Sequence, residues 1–90
     1  MLTNKQQCID LIKLNGGKFL EFEYDEEGKV LHEDWDLNGF GISMDVKNDE
    51  ITFIGENGDF GTISLDYFAL LGFLTHYVHL FNPIRRIEIL

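Results

Sequence analysis

The chain has 90 residues, 44% hydrophobic and 26% charged, which excludes a disordered polymer and limits the molecule to one modest core. Sixteen Asp and Glu against seven Lys and Arg give a net charge of −9, which argues against direct binding to nucleic acid or an anionic membrane, since both need clustered cations. Cys8 has no internal disulfide partner, the opening residues lack an export-signal pattern, and the apolar stretch 67–81 is shorter than the ~20 residues of a membrane span, so the expectation is a cytoplasmic protein forming one domain over 1–90.

Thr3 or Asn4 can cap an opening helix in which Cys8, Leu11 and Ile12 recur at helical spacing. Asn15-Gly16-Gly17 stops it, because glycine enters the left-handed region freely. From 18 to 65 the punctuation is that of hairpins: Glu27-Gly28, Asn38-Gly39, Asn48-Asp49 and Asn57-Gly58. Read as two-residue turns, the first sets Leu20 opposite Trp35 and Tyr24 opposite Leu31. The second sets Trp35 opposite Ile42, the third Met44 opposite Phe53 and Val46 opposite Ile51, and the fourth Phe53 opposite Thr62 and Gly55 opposite Phe60.

Paired residues share a face, so one side of the sheet collects Leu20, Phe22, Tyr24, Leu31, Trp35, Leu37, Phe40, Ile42, Met44, Val46, Ile51, Phe53 and Phe60. Glu33 is the misfit on that side: it must reach an edge, find a partner, or betray a slipped register. The other side reads Glu21, Glu23, Asp25, then His32, Asp34, Asp36, then Gly41, Ser43, Asp45, with a mildly apolar end at Thr52, Ile54, Gly61 and Ile63.

A second helix is expected from Asp66, capped by Ser64 or Asp66 itself, to about Phe81, before Asn82-Pro83; it is apolar nearly all round. The tail 84–90 reads as a sixth strand that pairs at an edge or covers Ile54 and Ile63. The fold class is α+β: an N-terminal helix, a five-stranded antiparallel meander packed on a long apolar C-terminal helix, and a short terminal strand.

Few residues suggest metal or catalytic chemistry. His76 and His79 are three apart, but with His32 on a strand and Cys8 remote no four-donor zinc set forms. The segment from Asp45 to Glu50 resembles a calcium loop only superficially, since Lys47 occupies a ligand position and the loop glycine is missing. Phosphate-binding, dinucleotide and nucleophile-elbow motifs are absent, and the carboxylates lie on an open face rather than in a pocket that would split their pKa values. The expectation is a protein without enzymatic activity, metal or cofactor.

The charge is polarised. Residues 21–59 hold thirteen acids against Lys29 and Lys47, a charge of −11, whereas the remainder carries five bases against three acids, or +2. Glu21 is set opposite Asp34, with Asp36 continuing the row, on strands ~4.8 Å apart. Like charges across a ladder destabilise a sheet, so such rows need a purpose beyond solubility. Their density approaches that of a nucleic-acid backbone, with one charge per ~3.4 Å of strand.

The implied partner is a basic protein, such as a nuclease or another nucleic-acid-binding enzyme. Its groove would be occupied in the manner of small phage- or mobile-element-encoded inhibitors. Glu21, Glu23, Asp25, Glu26, Glu27, Asp34 and Asp36 are the expected charged contacts, with Phe19 as aromatic anchor because Trp35 points inward. The alternative is a homodimer joined through Ile54, Ile63 and the C-terminal strand, with the acidic face serving solubility alone.

Overall fold

The computed structural model describes residues 3–78 and 86–89. Helix α1 (Asn4–Leu14) is followed by strands β1 (Lys18–Tyr24), β2 (Val30–Leu37), β3 (Phe40–Asp45), β4 (Glu50–Gly55) and β5 (Gly58–Ser64), then helix α2 (Tyr67–His76). The strands form one antiparallel sheet in chain order, so the α+β meander stands.

Thr3 caps α1 by accepting from the Gln6 N–H at 3.1 Å, and Gly16 (φ +90°) takes the left-handed turn after its last residues. Gly17 passes so close to the helix that a Cβ there would sit 2.2 Å from Ile12 Cγ2 and 2.7 Å from the Ile12 carbonyl oxygen. Asp66 caps α2 through the Ala69 N–H at 3.1 Å. That helix is ten residues long rather than extending to 81, because Tyr77 (φ −105°, ψ 19°) leaves the helical range. The expected continuation beyond Val78 lies outside the described residues.

The Asn38-Gly39 turn behaves as expected: both residues have positive φ, and Trp35 faces Ile42. The other three turns differ, each for a local reason. The Asp25 carboxylate accepts from the Glu27 and Lys29 N–H groups, drawing the first connection out to five residues. Asp45 likewise accepts from the Asn48 N–H and side-chain amide, and Asp49 takes φ +52°, so the third connection spans four residues. Met44 therefore faces Ile51 rather than Phe53; the slip is two residues and no side chain changes face.

In the fourth hairpin Gly58 (φ +102°), not Asn57, is left-handed, and a bulge follows. That shift is odd at Ile63, which moves to the core side opposite Ile51, while Thr62 faces Thr52 on the other side.

The core joins Cys8, Leu11 and Ile12 of α1, Trp35 and Leu37 of β2, Ile42 and Met44 of β3, Ile51 and Phe53 of β4, and Leu70 and Leu74 of α2. Burial and the nearby Asp66 carboxylate push the Cys8 thiol up to about 11, so it serves as a small apolar residue. Glu33 is buried, yet it accepts from the Trp35 indole Nε1–H at 2.8 Å and pairs with Lys5 Nζ of α1 at 3.2 Å. The misfit is thereby resolved by partners, not by a register error.

The tail is not the expected sixth strand at residues 86–89. Asn15 instead clamps it, donating to the Glu88 carbonyl at 3.0 Å and accepting from the Glu88 N–H at 2.7 Å, while Ile87 packs on the core.

β1 is exposed along its whole length, on an open edge of the sheet. Among the described residues no helix is long and apolar enough to cross a membrane.

Candidate functional site

Three elements assemble the acidic face. The pairings Glu21–Asp34 and Glu23–His32 between β1 and β2, and Asp34–Ser43 and Asp36–Gly41 between β2 and β3, place Glu21, Glu23, Asp34 and Asp36 on the side of the sheet away from the helices. Among the described residues none of these four carboxylates has a lysine or arginine within ion-pair distance; the ion pairs are Lys5–Glu33, Lys29–Glu27 and Arg86–Glu88.

The carboxylates are coupled by a polar chain across the three strands. Ser43 Oγ donates to Asp34 Oδ1 at 2.8 Å, and His32 Nδ1 lies 3.3 Å from the same hydroxyl. With the hydroxyl proton committed to Asp34, the His32 ring is the donor to Ser43. This order differs from a nucleophile relay, in which the imidazole takes the serine proton. A hydrogen bond with Asp34, reinforced by the negative charges of Asp34 and Glu21, raises the Glu23 pKa above the usual carboxylate range.

A raised native pKa means stability that is present when Glu23 is protonated and lost as pH rises through its titration. At neutral pH the face is therefore held at a cost. We expect Glu23→Gln, which supplies an amide donor to Asp34 without the charge, to raise Tm by about 1–4 °C at neutral pH and low salt. The gain should shrink as pH falls through the Glu23 titration and as salt rises; thermal melts across a pH series at low and high salt check it.

An apolar patch sits within the acids. A bulge between Phe19 and Glu21 turns Leu20 to this side, where it is 57% exposed. With Ile54 it borders a dimple of about 210 Å³ that is also lined by Glu21, Glu23, Asp34, Gly41 and Ser43. A Cβ at Gly41 would approach Ile54 Cβ at 3.3 Å, so glycine helps keep the dimple open. The chemistry on offer suits a long cation, with methylenes against Leu20 and Ile54 and the charged head among the carboxylates.

The remaining expected site residues fall elsewhere. Asp25 is spent on its own loop, Glu26 is exposed at the loop tip, and Glu27 pairs with Lys29 at 3.7 Å. The Asp36 carboxylate accepts from the Gly39 N–H at 3.4 Å, on the acidic face but tied to its turn. Phe19 is on the opposite side, its ring 5.6 Å from that of Trp35 and 4.8 Å from Phe22, so it cannot be the anchor of the acidic face.

Leu20 takes that place. Its sequence signal is the consecutive pair Phe19-Leu20, which breaks strict alternation at the start of β1. The dimer seam loses Ile63 to the core side and has no strand at residues 86–89, though Ile54 remains on the outer face.

Among the described residues no group of three His, Cys, Asp or Glu is placed to hold a metal, and His79 lies outside them. Comparison of the chain with protein families, characterised proteins and solved structures finds no match.

Proposed function

We propose that this is an acidic binding protein that occupies a basic groove on a nucleic-acid-handling protein and thereby blocks or regulates it. One observation carries the reading: Glu21, Glu23 and Asp34 converge, without a countercharge among the described residues, around the apolar dimple bordered by Leu20 and Ile54. Lys18 stands opposite Asp36 at one end of this face, beyond ion-pair distance, but Glu21 and Asp34 lie directly across the ladder from each other, an arrangement that a face made only for solubility would avoid. A basic groove that grips phosphates supplies cations at matching density, and its arginines and lysines have apolar stems as well as charged heads. Such an encounter is steered and salt-sensitive.

The test couples capture to activity. The tagged protein is used to recover partners from host extract at low salt, and each purified partner is assayed on nucleic acid with increasing protein. The expected result is stoichiometric inhibition that fades as salt rises. It should weaken at least ten-fold for the combined Glu21→Gln, Glu23→Gln, Asp34→Asn and Asp36→Asn variant, whose Tm is maintained or raised. Failure to capture a nucleic-acid-handling partner, or inhibition indifferent to the four substitutions, overturns the proposal.

A further inference from the structure

We propose that β1 receives a strand of the basic partner as an added edge strand of the sheet. The received segment would alternate lysine or arginine with apolar side chains. This rests on the function proposed above and names the chemistry of the partner segment.

The two edge strands, β1 and β5, differ in how their core-side faces are covered. At β5 the helical layer reaches the strand: the Phe73 ring lies over Gly61, where a Cβ would meet it at 2.9 Å, and Ile63 is packed on the core. At β1 every residue is exposed, and among the described residues its hydrogen-bonded neighbour in the sheet is β2 alone. An edge strand with unpaired backbone groups is a template for another strand.

The core-side face of β1 carries a continuous aromatic row. Phe19 and Phe22 have ring centroids 4.8 Å apart, and Phe22 and Tyr24 are 6.2 Å apart; their exposures are 45%, 41% and 58%. Its other face carries Glu21 and Glu23. An arriving strand places successive side chains on opposite faces, so the complementary one is apolar toward the aromatics and basic toward the glutamates.

The same charges disfavour a second copy as the occupant. Two β1 strands paired antiparallel about Phe22 would set Glu21 of each against Glu23 of the other, which destabilises a ladder. The glutamates thus guard the edge against self-association while attracting a cationic strand, a selection by repulsion as well as attraction. The register shifts at Leu20 and again between Glu23 and Tyr24, so the regular pairing stretch is Glu21 to Glu23, with the Phe22 ring on its core side.

The test uses the full chain with two synthetic peptides of identical composition. One alternates arginine or lysine with valine and phenylalanine; the other groups the basic residues before the apolar ones. The alternating peptide is expected to bind at least ten-fold more tightly at the same salt, to protect β1 amides from hydrogen exchange, and to lose binding when its pairing-edge amides are N-methylated. Phe22→Ser should weaken the alternating peptide and leave the block peptide unchanged.

Equal binding of both peptides, lost together when Glu21 and Glu23 become Gln, overturns strand addition and leaves the acidic-face reading intact. Binding of neither peptide at low salt overturns both. A dimer whose formation protects the same β1 amides assigns the edge to a second copy and overturns the proposal.

Discussion

Phe53→Ala is expected to cost about 3–5 kcal/mol of folding stability, lowering Tm by at least about 12 °C. Phe53 is fully buried on β4, and its ring stacks on Phe73 of α2 with centroids 3.9 Å apart and planes 11° from parallel. The facing residue on β5 is Gly61, whose missing side chain leaves the space that the Phe73 ring occupies. One aromatic thus seats α2 on the sheet, and truncating it removes apolar contact and leaves a cavity that rigid neighbours cannot close. For a small domain with total stability of about 5–15 kcal/mol, this is a large fraction. Urea titration and thermal melting measure it. Phe68→Ala is the control: Phe68 is 77% exposed on the same helix and its loss should stay within about 0.5 kcal/mol. Near-equal effects of the two substitutions would mean that α2 is not seated on β4 as described.

The second large effect is expected at Glu33. Glu33→Ala should cost about 1–3 kcal/mol, chiefly because the buried Trp35 indole N–H loses its acceptor. Glu33→Gln retains an acceptor for the indole and loses the ion pair to Lys5. Because the Lys5 side chain is 36% exposed and can rehydrate, that loss should be at most about 1 kcal/mol. The ordering of the two variants separates hydrogen bonding from charge. The chain has one tryptophan, so its emission reports the environment of this bond directly. If Glu33→Leu raises stability, the carboxylate is a liability in the core rather than a satisfied partner of α1 and β2.

The order of elements, the meander and the polarity of its two faces are legible in the residues. Asn38-Gly39 demands a tight turn because both positions need positive φ, and from Trp35 and Ile42 outward alternation assigns each side chain of β2 and β3 to a face. The grouping of Glu21, Glu23, Asp34 and Asp36 follows from that alternation, and the two-residue slip of the third hairpin leaves it intact.

Other features depend on choices that short-range patterns leave open. Asp25 and Asp45 could have pointed at a partner or folded back on their own loops, and the Glu27, Lys29 and Asn48 N–H groups decided the matter by proximity. Phe19 and Leu20 compete for one inward position; the ring of Trp35 takes Phe19, and the bulge sends Leu20 to the acids. Ile63 goes inward because the bulge beyond Gly58 shifts β5 by one residue, an odd step that exchanges faces where an even step does not. The Glu33–Lys5 pair joins residues from different elements, and the Asn15 clamp on Glu88 joins residues 73 apart. Chain order and alternation are properties of adjacent residues and can be read along the chain. Which of two apolar neighbours is buried, and which carboxylate finds a donor, is decided only when the helices and strands meet in three dimensions.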